Sequence, residues 1–182
     1  MSGPESQLFT YSVTETSKML QESLNLLKWV IEKVPKDWHR RSPKDEIRGL
    51  RGDDRSVAVH VAHLIVYETD LANPVLNELA NGRDGTNIAK SGSMSWRIPK
   101  IIELSENPID KLLEELRRAR ATHIEIVNGF DDERFNRPMT SIWSTGGDGT
   151  KLESPGWVAT KTVQHTGEHT NTIFRFALFA PE

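Results

Sequence analysis

Cysteine is absent from the 182 residues of this chain. The absence excludes disulfide bridges and metal sites built on thiolate sulfur, so a bound metal would have to be held by nitrogen and oxygen. It also excludes a cysteine nucleophile in the protein itself. Any sulfur nucleophile must therefore come from a second molecule.

Long apolar runs and an excess of positive charge are also missing. No stretch approaches the roughly 20 apolar residues that span a membrane, and the N-terminus lacks the basic and apolar regions of a secretory signal. A formal charge of −3 does not give the basic footprint of a nucleic-acid-binding protein. We therefore expect a cytoplasmic location, with neither a nucleic acid nor a membrane as partner.

Strand-like alternation is nearly absent as well, and apolar residues instead recur at helical spacing in four stretches. The length fits a single domain over residues 1–182, with its core over about 12–179. The pattern predicts an all-α four-helix bundle with long second and third connections. The predicted helices run from Ser12 or Thr14 to Val34, from about Asp54 to Ala80 with a kink or end at Asn73-Pro74, from Pro108 to Val127, and from Val158 to Phe179.

Short signals set the predicted helix ends. Ser12 to Glu15 has the form of a capping box, and Pro35 should end the first helix. Asn107 is predicted to cap the third helix, with Pro108 at its first position. The connections 83–105 and 130–156 show little periodicity. Glycines within 146–149 indicate a turn cluster, since the lysine of a phosphate-binding loop is missing.

The last helix carries the clearest functional signal. His165 and His169 lie four residues apart on its inward stripe. Two imidazoles one turn apart on a buried face are costly unless something shared satisfies their ring nitrogens. A divalent metal would do so, and histidines at this spacing are a common helical metal site. The alternative is a pair of core or surface histidines without a metal.

The other four histidines differ in their suitability as ligands. His60 and His63 lie three residues apart in the second helix, and either could complete a site with the pair if the second and fourth helices touch. His123 lies on the inward stripe of the third helix, where a hydrogen bond to a carbonyl is the simpler expectation. His39 stands in a charged run and is expected to face solvent. Three nitrogens suit zinc, nickel or iron.

The segment from His165 to His169 also matches HxxEH, the inverted zinc-protease motif, with Glu168 as base. That motif needs a further carboxylate ligand well downstream, and little chain remains, so a zinc protease is disfavoured. Glu168 stays a candidate base beside a metal, or a solvated glutamate. Gly167 costs about 1 kcal/mol in a helix relative to alanine, which a close contact, room for a ligand or simple tolerance would explain.

Taken in order, these motifs resemble the DinB/YfiT-like superfamily of metal-binding four-helix bundles. That family includes thiol-dependent S-transferases and maleylpyruvate isomerases. The resemblance rests on the stretch Ser56 to Leu64 with the following Glu68, and on the stretch Thr162 to His169. In the family, one histidine of an "AHL…E" stretch and an HxxxH pair hold a divalent metal. The connections 83–105 and 130–156 do not match a family pattern, which leaves the substrate open.

The resemblance implies an up-down-down-up bundle and prefers His63 over His60 as the third ligand. It implies a divalent-metal-dependent enzyme that transfers a low-molecular-weight thiol to an electrophilic small molecule. The alternatives are a metal-dependent hydrolase, or a non-enzymatic, stress-related binding or scaffold bundle with a structural metal or none. A homodimer is a further hypothesis. The candidate residues are His63, His165 and His169 as ligands, Tyr67 and Glu168 for orientation or proton transfer, and His60, His123 and Glu68 as outer-shell or alternative ligands.

Overall fold

The structure is a computed structural model that describes residues 10–41, 55–83, 97–138 and 154–179. Over these ranges it is helical, and it contains no strand there. No described helix is both long and apolar enough to cross a membrane. The helices are α1 (Val13–Lys33), α2 (Val57–Tyr67), α3 (Asn73–Ala80), α4 (Arg97–Ser105), α5 (Ile109–Asn128), α6 (Asp132–Asn136) and α7 (Pro155–Phe179), with a 3-10 turn at Lys36–Trp38 and a π-helical turn at Glu68–Ala72.

Serine side chains begin the first two long helices. The Ser12 hydroxyl accepts the Glu15 N–H at 3.4 Å, which confirms the predicted start of α1. Ser56 caps α2 in the same way, and each hydroxyl satisfies an N–H that the first helical turn leaves free. The predicted cap of α5 is wrong by one residue. Pro108 occupies that position, and the Asn107 amide instead donates to the carbonyl of Leu104.

Pro74 does not end the helical segment, which continues to Ala80 as predicted, with Pro74 near the start of α3. Proline has no N–H, and its ring would clash with the carbonyl four residues earlier in a regular helix. The π-helical turn Glu68–Ala72 lies immediately before α3, and the Asn73 N–H bonds to the carbonyl of Glu68, five residues back. A wider turn of this kind accommodates the proline and lets α2 and α3 follow one another without a break.

Side-chain contacts give the directions of the four long helices. Ser17 and Ser23 of α1 reach Asn128 and Arg120 of α5, in reversed order, so these two helices are antiparallel. Residues of the segment α2 to α3 contact residues of α5 in the same order along the chain, so these two are parallel. They contact residues of α7 in reversed order, so that pair is antiparallel. The bundle is therefore up-down-down-up, as expected. The pairs are Glu68 with Arg120 and Asn73 with His123 on one side, and His60 with His169 and His63 with His165 on the other.

Apolar residues fill the bundle above and below a layer of buried polar side chains. The predicted apolar stripe of α1 is at most 6% exposed and contains Leu20, Leu24, Leu27 and Ile31. The predicted stripes of α5 and α7 also face inward. The polar layer contains His60, Glu68, Arg120, Thr166 and His169. It lies where α2, its π-helical turn, α5 and α7 meet, and it positions the site described below.

Two short helices lie in connections that were predicted to lack periodicity. α4 packs against α2, with Ile101 in contact with Ala62 and Val66, and Lys100 forms an ion pair with Asp70 at 2.6 Å. α6 follows α5, and α7 already begins at Pro155. The rest of both connections, including the glycine cluster 146–149, lies outside the described residues.

His39 does not face solvent, contrary to the prediction. The side chain is only 9% exposed, and its Nε2 lies 3.0 Å from the carbonyl oxygen of Val34. The 3-10 turn Lys36–Trp38 folds the chain back at the end of α1 and buries Trp38 beside it. The charged neighbours in the sequence therefore gave a misleading signal.

Gly167 lies on the exposed side of α7, and a Cβ placed there would have no neighbouring atom within 4 Å. A close helix contact therefore does not explain this glycine.

We expect Gly167→Ala to raise the free energy of unfolding by up to about 1 kcal/mol, because alanine has the higher helix propensity. Urea denaturation would measure the gain. Gly156→Ala is the matched control and should destabilise, since its Cβ would lie 2.7 Å from the Tyr11 ring; a loss of stability in Gly167→Ala would contradict the expectation.

Candidate metal centre

Three histidines from two antiparallel helices meet at the polar layer. His63 extends from α2, and His165 and His169 extend from adjacent turns of α7. The Nε2 atom of His165 lies 3.2 Å from Nε2 of His63 and 3.1 Å from Nε2 of His169. One potential donor atom from each of the three side chains lies within 4.8 Å of the other two. The structure therefore brings together the three residues that the family resemblance implies as ligands.

The two nitrogen separations measured from His165 fit a shared metal ion. At metal–nitrogen distances of about 2.0–2.1 Å, two ligand nitrogens are separated by roughly 3.3 Å in tetrahedral and roughly 2.9 Å in octahedral geometry. The observed separations from His165 lie between these values. A carboxylate is not part of the cluster among the described residues, and an all-imidazole set suits zinc, nickel or divalent iron.

Burial keeps two of the imidazoles uncharged. It lowers the pKa of His165 to about 3, and the nearby His63, Lys161 and Arg55 add to this effect. Burial likewise lowers the pKa of His169, with further contributions from His60 and the other two histidines. Both rings are thus neutral at pH 7 and have a lone pair available for a cation. A positively charged pair of imidazoles would instead repel one.

His60 supports the cluster from behind. It is fully buried, and its Nδ1 lies 2.7 Å from Nδ1 of His169. If His169 offers Nε2 to a metal, its proton resides on Nδ1 and is donated to Nδ1 of His60. Such a bond fixes the tautomer and orientation of a ligating ring. The structure thus places His60 behind a predicted ligand, whereas His63 stands beside both.

Tyr67 and Glu168 occupy different environments. The Tyr67 ring is nearly buried and stands edge-on to the His165 ring, with 4.3 Å between their centroids. Burial raises the pKa of the Tyr67 hydroxyl well above its usual value, and a hydrogen bond with the Thr162 side chain only partly offsets this. The hydroxyl therefore stays protonated at neutral pH and can donate a hydrogen bond. Glu168 is exposed, and its Oε1 accepts a hydrogen bond from Gln164 at 3.0 Å.

The remaining candidates are engaged elsewhere. The Glu68 carboxylate is fully buried and accepts two N–H groups of Arg120. The fully buried His123 donates from Nδ1 to the side-chain carbonyl of Asn73 at 2.6 Å, which is the carbonyl bond expected for it. Arg120 was missed by sequence reasoning, because it is one of three arginines on α5 and gives no sign of a partner 52 positions away in the chain.

The arrangement therefore offers three histidine nitrogens, and no further histidine or carboxylate of the described residues joins the group. Structural zinc sites are closed by four protein ligands, whereas catalytic sites retain an open position for water or substrate. Among the described residues, the side chains predicted as possible fourth ligands of a closed site are His60, His123 and Glu68. Each of these side chains has another hydrogen-bonding partner.

The buried imidazoles should make the stability of the metal-free protein depend on pH. Burial lowers the pKa of His123 and of His165 to about 3, below the value of about 6.5 in the unfolded chain. The unfolded state then binds more protons, so the stabilisation is complete above about pH 6.5 and declines on acidification, by up to about 1.4 kcal/mol per pH unit for each such histidine.

Urea unfolding of chelator-treated protein at pH 7.5 and 5.5 would measure this loss. His123→Leu should remove the share of the pH dependence that belongs to His123, without touching the metal cluster. Equal stability of the parent at both pH values would contradict the expectation.

A comparison with known families gives one match. The sequence model of the DinB superfamily matches residues 19–173, which include every candidate residue of the site. Neither the curated proteins nor the solved structures gave a match to this chain.

Proposed function

The chain belongs to the DinB superfamily, and we propose that it is a divalent-metal-dependent enzyme that transfers a low-molecular-weight thiol to an electrophilic small molecule. The observation that supports this most strongly is the cluster of His63, His165 and His169, which no further histidine or carboxylate of the described residues joins. The metal is proposed to be zinc, nickel or iron, and the thiol is an external cosubstrate because the chain has no cysteine.

The chain's own residues provide two parts of the chemistry. The three imidazoles would hold the ion through Nε2, with His60 orienting His169 from behind. A bound divalent ion would lower the pKa of a coordinated thiol and favour its thiolate at neutral pH. In the transfer, the thiol loses its proton, its sulfur forms a bond to an electrophilic carbon, and the leaving group departs with the electron pair.

Tyr67 is proposed to donate a hydrogen bond to the reacting molecule beside His165. Its hydroxyl stays protonated at neutral pH, because burial raises its pKa, and its ring is in contact with a ligand ring. We expect Tyr67→Phe to lower turnover about 100-fold, while leaving metal affinity unchanged. Steady-state rates and metal titration of the same sample would measure both quantities. An equal loss of metal affinity would instead make Tyr67 a structural residue of the site.

Cobalt substitution tests the thiol proposal without knowledge of the electrophile. Co²⁺-loaded protein is titrated with cysteine and with glutathione, and the near-ultraviolet absorption of a thiolate–cobalt bond is recorded. The protein lacking His63, His165 and His169 is the control. Saturable appearance of the band in the parent alone supports thiol binding at an open position.

A parent that binds Co²⁺ but gives no such band with either thiol would overturn thiol transfer. Hydrolysis of an activated ester by that metal-loaded protein would then identify the hydrolase alternative, in which water occupies the open position. If the metal-bound protein neither binds a thiol nor hydrolyses the ester, a structural metal is the better explanation.

A further inference from the structure

Arg120 occupies the centre of the polar layer and is fully buried. A guanidinium has five N–H donors, and all five are used here. Nε and Nη2 donate to the Glu68 carboxylate at 3.0 and 2.6 Å. The second N–H of Nη2 reaches the Thr166 hydroxyl at 2.8 Å. Nη1 donates to the Ser23 hydroxyl at 2.8 Å and to the carbonyl oxygen of Leu20.

These bonds connect α5 with α1, the π-helical turn and α7 at one point. Two of the bonded side chains, Glu68 and Thr166, lie close in sequence to residues of the metal cluster. Glu68 directly follows Tyr67 and lies five residues after His63, while Thr166 directly follows His165. Arg120 therefore joins the helix that carries His63 to the helix that carries His165 and His169, without contacting any of the three imidazoles.

Stability alone is a weak explanation for this network. Removing two charges from water is costly, and a buried ion pair can often be replaced by apolar residues of similar size without loss of stability. Apolar residues already fill the bundle on both sides of this layer. What apolar side chains would not provide is a bond of fixed direction that sets the register of α7 against the π-helical turn.

We propose that Arg120 is a positioning residue for the metal centre. Its bonds hold α7 in register, so that His165 and His169 meet His63. This inference rests on the proposed metal-dependent function. It concerns the arrangement of the helices, however, and can also be tested on the metal-free protein. The donor geometry carries it, because the same guanidinium nitrogen, Nη2, bonds both Glu68 and Thr166.

The test replaces the ion pair by an apolar pair, Arg120→Met with Glu68→Leu. We expect this protein to remain folded, with the cobalt dissociation constant raised about 10- to 100-fold, the range found for lost outer-shell partners. The visible cobalt spectrum should also change, because the ligands no longer converge. The matched control is Asn73→Leu with His123→Leu, a buried polar pair between the same two segments without a bond to α7. Its cobalt affinity should equal that of the parent.

A second readout needs no metal. In the metal-free parent, the N–H between His60 and His169 should give a slowly exchanging imidazole proton resonance in the NMR spectrum. The resonance should persist in the control and disappear in the apolar ion-pair variant. A folded apolar variant with parental cobalt affinity, spectrum and imidazole resonance would overturn the proposal. A parent with the resonance but without cobalt binding would instead contradict the proposed function alone.

Thr166→Val covers the case in which the apolar pair does not fold. It leaves Arg120 and Glu68 paired and removes only the bond to α7. We expect a folded protein whose cobalt dissociation constant rises about tenfold, with rescue of parental affinity by Thr166→Ser. Parental affinity in Thr166→Val would overturn the positioning role.

Discussion

Replacement of His63, His165 or His169 by alanine, one at a time, is expected to abolish stoichiometric binding of a divalent metal. Each variant loses one of three protein nitrogens that lie close enough to share an ion. Loss of a mere outer-shell partner typically costs about 10–100-fold in metal affinity, so loss of a ligand should cost more. Chelator competition with zinc and nickel would measure the three dissociation constants.

His60 and His39 provide graded controls for this series. His60→Ala removes the partner of His169 Nδ1 but no cluster nitrogen, and should weaken binding by about 10–100-fold. His39→Ala removes a bond to the carbonyl of Val34 and no contact with the cluster histidines, and should leave affinity unchanged. If the His39 and His63 variants bind metal equally well, the assignment of the three ligands is wrong.

The largest effect on stability is expected from Glu68→Leu alone. The substitution leaves the Arg120 guanidinium, which is 0% exposed, without its counter-charge. Breaking a buried ion pair from one side costs about 3–5 kcal/mol, because an uncompensated charge stays in the core. Urea unfolding would measure the loss. Addition of Arg120→Met should restore most of it, since the remaining charge is then removed as well.

Glu114→Leu is the control for that experiment. This residue also pairs with arginines, Arg117 and Arg118, but the pairs are largely exposed. Exposed pairs contribute about 0–1 kcal/mol, so the control should change little. Equal, small effects of Glu68→Leu and Glu114→Leu would contradict the view that the buried pair organises the core.

The helical pattern predicted the four long helices and their inward faces, because their apolar spacing is regular. The capping box that begins at Ser12 predicted the start of α1. α4 was missed since it spans only nine residues and carries Pro99 in its first turn, where a proline reads as a break. The π-helical turn Glu68–Ala72 was missed, because such a turn leaves no sign in composition.

The sequence also predicted part of the metal site. The spacing of His165 and His169 places both rings on one face of a helix, which sequence alone determines. The choice of His63 over His60 came from the family resemblance, and the structure places His60 behind His169 instead. Arg120 and the burial of His39 depend on contacts between distant parts of the chain, which no local pattern encodes.

Elemental analysis of the purified, untagged protein tests the central claim most directly. The parent and the variant lacking His63, His165 and His169 are prepared side by side and exposed to zinc and nickel before desalting. The account predicts about one metal ion per chain in the parent and almost none in the variant. A folded parent that retains neither metal would contradict a metal centre, and the three histidines would then be buried polar residues of the core.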